Sequence, residues 1–193
     1  MTDQEYKRKR YLDTGARKIC EVLLFCRNQY ECRSQIVNRY YLWNGDNVGS
    51  PCLKCDNCKN RIKEKPTYEN CIDDVFHLLE IVKEMSKSGC EIHEDDVVEV
   101  FCKSNTKRIR ELGLIELEVY KSGRKPKFGK PKEVASYMLA DLVVRGYIKQ
   151  RISLYRSSPS AQTLSANMFI IGLVAEIKEK VIADSWYYWI NKK

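Results

Sequence analysis

Apolar positions along the first third of the chain recur at three- and four-residue intervals. From Gly15 onward Ile19, Val22, Leu23, Cys26 and Tyr30 fall on one stripe, and Ile36, Val37, Tyr40 and Tyr41 continue it to about Trp43. That spacing predicts helix. Residues 1–14 ahead of it are polar and read as a tail. Asn44-Gly45-Asp46-Asn47 is a turn signal, and the charged stretch from Lys59 to Thr67, with Pro66, reads as a connector between domains. Beyond it, Ile72, Val75, Phe76, Leu79 and Val82 predict a helix that stops at Gly89. Glu94, Asp95 and Asp96 suit a helix N-terminus, with Val97, Val98 and Phe101 following. Ser104 reads as the cap of a short helix through Leu112, ended by Gly113. A further helix starts at Pro131 and runs to Arg145, ended by Gly146.

The period then changes to two. Ile148, Ile152 and Leu154 alternate with Lys149, Arg151 and Ser153, which predicts a half-buried strand over Tyr147–Tyr155. Met168–Val174 reads as its partner strand, and Arg156–Asn167 as the polar loop between them. An amphipathic helix is expected over 176–193, with Trp186 and Trp189 as packing anchors. The fold class is therefore mainly α with a small β-hairpin. Its expected parts are a polar tail (1–14), a helical subdomain (15–65), a winged-helix domain (66–175) and the terminal helix.

The 193 residues carry a net charge of +8, which favours an anionic partner, nucleic acid before an acidic membrane surface. No apolar run reaches the length of a membrane span. The first residues lack the charged and apolar regions of a secretory signal, so an unsecreted protein is expected, nuclear in a eukaryote and otherwise cytoplasmic. The basic block Lys7-Arg8-Lys9-Arg10 fits a weak nuclear-import signal and, more simply, a solvated helix start.

Nine cysteines, an odd number, argue for thiols in a reducing compartment rather than a disulfide framework. Cys52-Leu53-Lys54-Cys55-Asp56-Asn57-Cys58 places three of them at two-residue intervals, and nineteen residues separate Cys32 from Cys52. A short knuckle plus a fourth thiolate arriving from a helical segment is tetrahedral ligand spacing, suited to a closed structural zinc (Zn²⁺). Cys26 is the nearest competitor as a ligand. Cys20, Cys71, Cys90 and Cys102 read as small buried hydrophobes.

Other chemistry is sparse. Ser104, Asn105 and Thr106 stand at an expected helix start that suits phosphate, with Lys107, Arg108 and Arg110 along the same helix. Six basic residues and no acid occur from Lys121 to Lys132, and Lys125, Lys127 and Lys130 there read as phosphate-facing. Such contacts position DNA without reading its sequence. Gly123–Lys130 imitates a phosphate loop, but it has five intervening residues and Pro131 replaces the magnesium-holding hydroxyl. Only His77 and His93 are available for acid–base work, and no catalytic residues are assigned.

Phe25-Cys26-Arg27-Asn28, Glu31-Cys32-Arg33-Ser34-Gln35 and Cys52 through Asp56-Asn57-Cys58 together resemble the zinc-binding segment of RecQ-family DNA helicases. Val97-Val98-Glu99-Val100-Phe101 and Ser104-Asn105-Thr106-Lys107-Arg108-Ile109 resemble the winged helix that follows it in that family, and the likeness spans roughly 22–175. It implies the DNA-binding module of an ATP-dependent helicase of three-prime-to-five-prime polarity, acting in replication, recombination and repair on duplex or forked DNA. Ser104 and Arg108 match phosphate-contacting positions, and Tyr155 is the candidate wedge at the hairpin. The sequence departs from the family at Lys103, where a glycine is usual, and at Pro131, where an acid is. It contains no ATPase motif, so the ATPase lobes, or other repair proteins, would come from another chain. The alternative is a stand-alone zinc-stabilised winged-helix protein that binds DNA or a protein partner, with the Trp186/Trp189 segment as a docking surface.

Overall fold

The computed structural model describes residues 3–43, 46–88, 91–123, 126, 128–155, 165–173, 181 and 186–190. Among these residues the protein is mainly helical, with two small antiparallel sheets. Among the described residues no helix is long and apolar enough to cross a membrane.

Helix α1 spans Asp3–Arg27. The polar stretch expected to be a tail is its first half, because Gln, Glu, Lys and Arg are good helix formers and no proline interrupts them. Its rotation also differs from the expected stripe. Cys20 is buried, and its thiol donates to Oε1 of Gln150 at 3.3 Å, while Ile19, Val22 and Cys26 face solvent. Helix α2 (Arg33–Tyr41) buries none of its residues, although Tyr30 just ahead of it is fully enclosed. Helix α3 covers Asp56–Glu64, so the expected connector is largely helix, and it ends at Lys65 in a left-handed conformation. Strand β1 (Thr67–Asn70) follows directly.

The main core lies beyond. Helix α4 (Ile72–Met85) buries Val75, Leu78, Leu79, Ile81, Val82 and Met85 on one side. Strand β2 (Ile92–His93) leads into α5 (Glu94–Phe101), then the short α6 (Lys107–Glu111) and α7 (Glu118–Ser122). Thr106, not Ser104, caps α6: its hydroxyl accepts from the Ile109 N–H at 3.4 Å. Because α7 contains Lys121, the expected basic loop is shorter than the run of charges. Helix α8 (Pro131–Val144) begins with the proline at its first turn, and Gly146, at φ 80°, turns the chain into β3.

Strand β3 (Ile148–Tyr155) pairs antiparallel with β4 (Ser165–Leu173), and β4 pairs with β2, giving the order β2-β4-β3. Ile148 stands opposite Leu173 and Tyr155 opposite Ser165, with a register irregularity at Lys149/Gln150. The hairpin is longer than expected, since β4 starts at Ser165 rather than Met168; the expected tip, 156–164, lies outside the described residues. So does most of the expected terminal helix. Of its described residues Val181 is helical, while β5 (Tyr187–Ile190) is a strand paired with β1, with Tyr68 opposite Trp189. The backbone of Cys71 completes that junction by donating to the Trp186 carbonyl at 2.8 Å.

Trp186 anchors this end of the chain in the core. Its ring is 1% exposed, lies 5.4 Å from the Tyr147 ring, and receives the Arg145 guanidinium over its face at 4.4 Å. Its indole N–H donates to the Val181 carbonyl at 2.6 Å, so its one polar group is satisfied. Trp186→Ala is expected to lower stability by about 3 kcal/mol, as buried aromatic truncations do, read from denaturant unfolding.

Candidate metal centre and nucleic-acid interface

Cys32, Cys52, Cys55 and Cys58 converge, their sulfurs all within 4.8 Å of one another. Tetrahedral thiolate ligation of zinc at about 2.3 Å would set them roughly 3.8 Å apart, so little adjustment separates this cluster from a ligated one. Cys26 is exposed and lies outside it. Cys32 is the residue just before α2, and Cys55 caps α3 by accepting the Cys58 N–H. Leu53, at φ 57°, turns the knuckle so that backbone N–H groups face sulfur. Cys52 donates to the Cys32 sulfur at 3.2 Å, and Cys55 and Cys58 donate to the sulfurs of Cys52 and Cys55 at 3.4 Å.

Those N–H groups shape the thiols. The Lys54 and Cys55 N–H groups bring Cys52 down to about 6. At Cys32 burial opposes the thiolate, but the N–H groups of Cys52 and Gln35 outweigh it and the thiol falls below its usual value. Burial pushes Cys58 up to about 12. A cation would have to displace that proton, so binding weakens as pH falls. Four sulfur donors in one enclosed cluster can hold a metal ion in a closed site.

Around the cluster stand the residues flanking the cysteines in sequence. Asn57 is fully buried, and its amide donates to the carbonyls of Asn28 (2.9 Å) and Glu31 (2.8 Å). The Asn28 side-chain oxygen accepts from the N–H groups of Tyr30 (3.1 Å) and Glu31 (2.9 Å), closing the turn that delivers Cys32. Arg33 reaches both oxygens of Asp56, at 3.2 and 3.0 Å, and stacks over Phe25 at 4.8 Å. The guanidinium beside Asp56 holds its carboxyl below the ordinary range. Arg27 then links this subdomain to the rest by donating to Glu94 and to the Ser136 carbonyl, each at 3.1 Å.

Several of the residues expected to contact DNA make contacts within the chain. Arg108 makes a two-point ion pair with Asp96, at 2.5 and 2.8 Å, and Asp96 is 1% exposed. Asp96 also accepts the His93 N–H at 3.0 Å, capping α5. Burial raises the Asp96 carboxyl, but Arg108 and His93 outweigh it and leave its pKa lowered. Arg108 therefore braces α6 against α5, and the missed signal was the acid at the third position of α5. Ser104 gives its N–H to the Glu99 carbonyl, and Arg110 is folded onto Asn105 at 3.1–3.2 Å. Lys107 faces Glu111 at 3.5 Å, Lys130 faces Glu133 at 3.2 Å, Lys132 faces Glu99 at 2.5 Å and Lys121 faces Glu116 at 2.8 Å. With five residues, α6 has little dipole to offer phosphate. Lys125 and Lys127 lie outside the described residues. Tyr155 ends β3, and its side chain lies outside the description.

No protein-family model matches the chain, and no curated protein matches its sequence significantly.

Two outcomes follow from this geometry. Purified protein is expected to hold one metal ion per chain by elemental analysis; Cys32→Ser should abolish it and open the 28–64 segment to protease, while Cys26→Ser leaves it in place. Because the Asp96 carboxyl sits below its ordinary value, its pairing stabilises fully above about pH 4 and is lost as pH falls further. Arg108→Ala is expected to lower stability by about 2 kcal/mol at pH 7, since it strands a buried carboxylate, with the difference shrinking in acid. Unfolding curves of both proteins at pH 7 and pH 3 check this.

Proposed function

We propose that this chain is the DNA-binding module of a RecQ-like helicase, a zinc-braced winged helix that grips duplex or forked DNA for ATPase lobes that lie outside these 193 residues. The observation that carries the reading is that the resemblance and the geometry meet in the same residues. Asn28, Glu31, Arg33, Asp56 and Asn57, quoted above for their likeness to the family's zinc segment, are the side chains and backbone groups that deliver Cys32 to the knuckle. Zinc is the ion that four thiolates suit best. The order α4, β2, α5, α6, α8, β3, β4, with β4 central in the sheet, supports the winged-helix reading. Nothing in this reading gives the chain hydrolytic chemistry of its own.

The placement of the cations reshapes how the grip would work. Arg108 serves the α5–α6 brace, so phosphate contact falls to Lys107 and Arg110, both exposed on α6, and to the lysines before α8. Each of the paired lysines must exchange its carboxylate for phosphate, which lowers affinity and raises selectivity for closely fitting backbone. Strand separation by the β3–β4 hairpin would need a tip that lies outside the described residues.

Zinc-loaded protein is expected to bind forked and blunt duplex with an affinity that falls steeply with salt, a log–log slope of about −3 to −5 for four or five phosphate contacts. The double variant Lys107→Glu/Arg110→Glu should weaken binding at least tenfold and flatten that slope by about 2. Fluorescence anisotropy between low and physiological salt measures both. Weak binding, indifferent to salt and to the variant, would favour the stand-alone reading with a protein partner.

A further inference from the structure

A second surface is better built for nucleic acid than the one the resemblance indicates. Between α2, α3, α8 and the β1–β5 sheet lies an open cleft of about 590 Å³. Eleven residues line it, of which four are tyrosines and three are arginines, and none is aliphatic. A peptide's apolar anchor would find no aliphatic wall there. A nucleobase, which needs a π face and hydrogen-bonding groups, would.

The charges in the cleft sort into spent and available ones. Arg39 is paired with Glu31, and Arg145 with Asp141 at 3.0 Å while it covers Trp186. Asp141 also accepts the Tyr188 hydroxyl at 2.7 Å. Both acids lining the cleft are thus engaged. Arg61, which also lines the cleft, is in no ion pair among the described residues. Tyr68 and Tyr187 line the same cleft with 48% and 59% of their surface exposed, on the adjacent strands β1 and β5. This contrasts with the α6–α8 face, where Lys107, Arg108, Lys121, Lys130 and Lys132 all hold acids of the same chain.

We infer that this cleft binds an unpaired nucleic-acid strand, with Tyr68 and Tyr187 stacking bases and Arg61 holding an adjoining phosphate. Aromatic platforms flanked by cations take single strands without sequence preference, because every base offers a π face. The inference stands on the cleft alone and does not require the helicase reading. Combined with a duplex grip, it would give the module one site for each arm of a fork.

The test uses the full zinc-loaded chain and labelled dT and rU oligonucleotides of about twelve nucleotides, within the usual site size. Tyr68→Ala/Tyr187→Ala is expected to weaken oligonucleotide binding at least tenfold, while Tyr68→Phe/Tyr187→Phe holds it within about twofold, as stacking predicts. Arg61→Glu should weaken it and reduce its salt dependence. Blunt-duplex affinity and melting temperature should move little in all three, which separates this site from the α6 face. Equal affinity for dT and rU would mean that base and phosphate alone are read; a preference would identify which strand the site serves. Unchanged oligonucleotide affinity in the alanine pair overturns the proposal. So does wild-type protein that ignores both oligonucleotides and instead binds a polyglutamate peptide through Arg61. Loss of duplex binding with single-strand binding intact would remove the helicase reading and leave this one standing.

Discussion

The turn from Asn28 to Cys32 is the constraint on which the arrangement rests. A lone thiol twenty or more positions from its three partners can join them only if its backbone is held in one conformation against the knuckle. Asn57 does this from the knuckle side through two carbonyls, and Asn28 from within through two N–H groups. All these groups are enclosed or nearly so, which makes them strong only as a complete set; losing one strands the others without water. The same turn ends α1, whose Arg27 reaches Glu94 at the start of α5. The orientation of the metal subdomain against the second core is therefore set within a few residues of the sulfur cluster.

The distribution of paired and unpaired charge separates bracing from binding. A net charge of +8 suggests a broadly basic surface, but many cations are committed internally. Arg108 is the clearest instance, a residue whose sequence position suggests phosphate and whose contact is a buried aspartate. Arg61, unremarked in the linear pattern, is in no ion pair among the described residues and lines the cleft with half-exposed tyrosines. Electrostatic attraction to a polyanion draws on charge that is not already neutralised at close range, so the α3 side contributes more to it than a residue count implies.

The four cysteines, the helices α4, α5 and α8, the glycine stops at Gly113 and Gly146 and the β3–β4 pairing were all legible in the sequence, because each follows from local spacing, capping or alternation. The rotation of α1 was not. Its apolar residues offer more than one plausible stripe, and contact with Gln150, 130 positions away, selects the face bearing Cys20. The strand character of 187–190 was equally hidden. Tyr187, Tyr188, Trp189 and Ile190 are good strand formers, yet the expected helical period across 176–190 masked them until β1 supplied a partner.

The sequence by itself determined which four cysteines cluster, the mainly helical class and the positions of most element ends, since these follow from short-range spacing, periodicity and capping. Tertiary structure alone decided which cations remain available, which aromatic rings are buried and where a cleft opens between α3 and β5. Those properties depend on pairings between different elements, 12 positions apart for Arg108 with Asp96 and 47 for Tyr188 with Asp141, whose energies come from proximity and desolvation in the folded state.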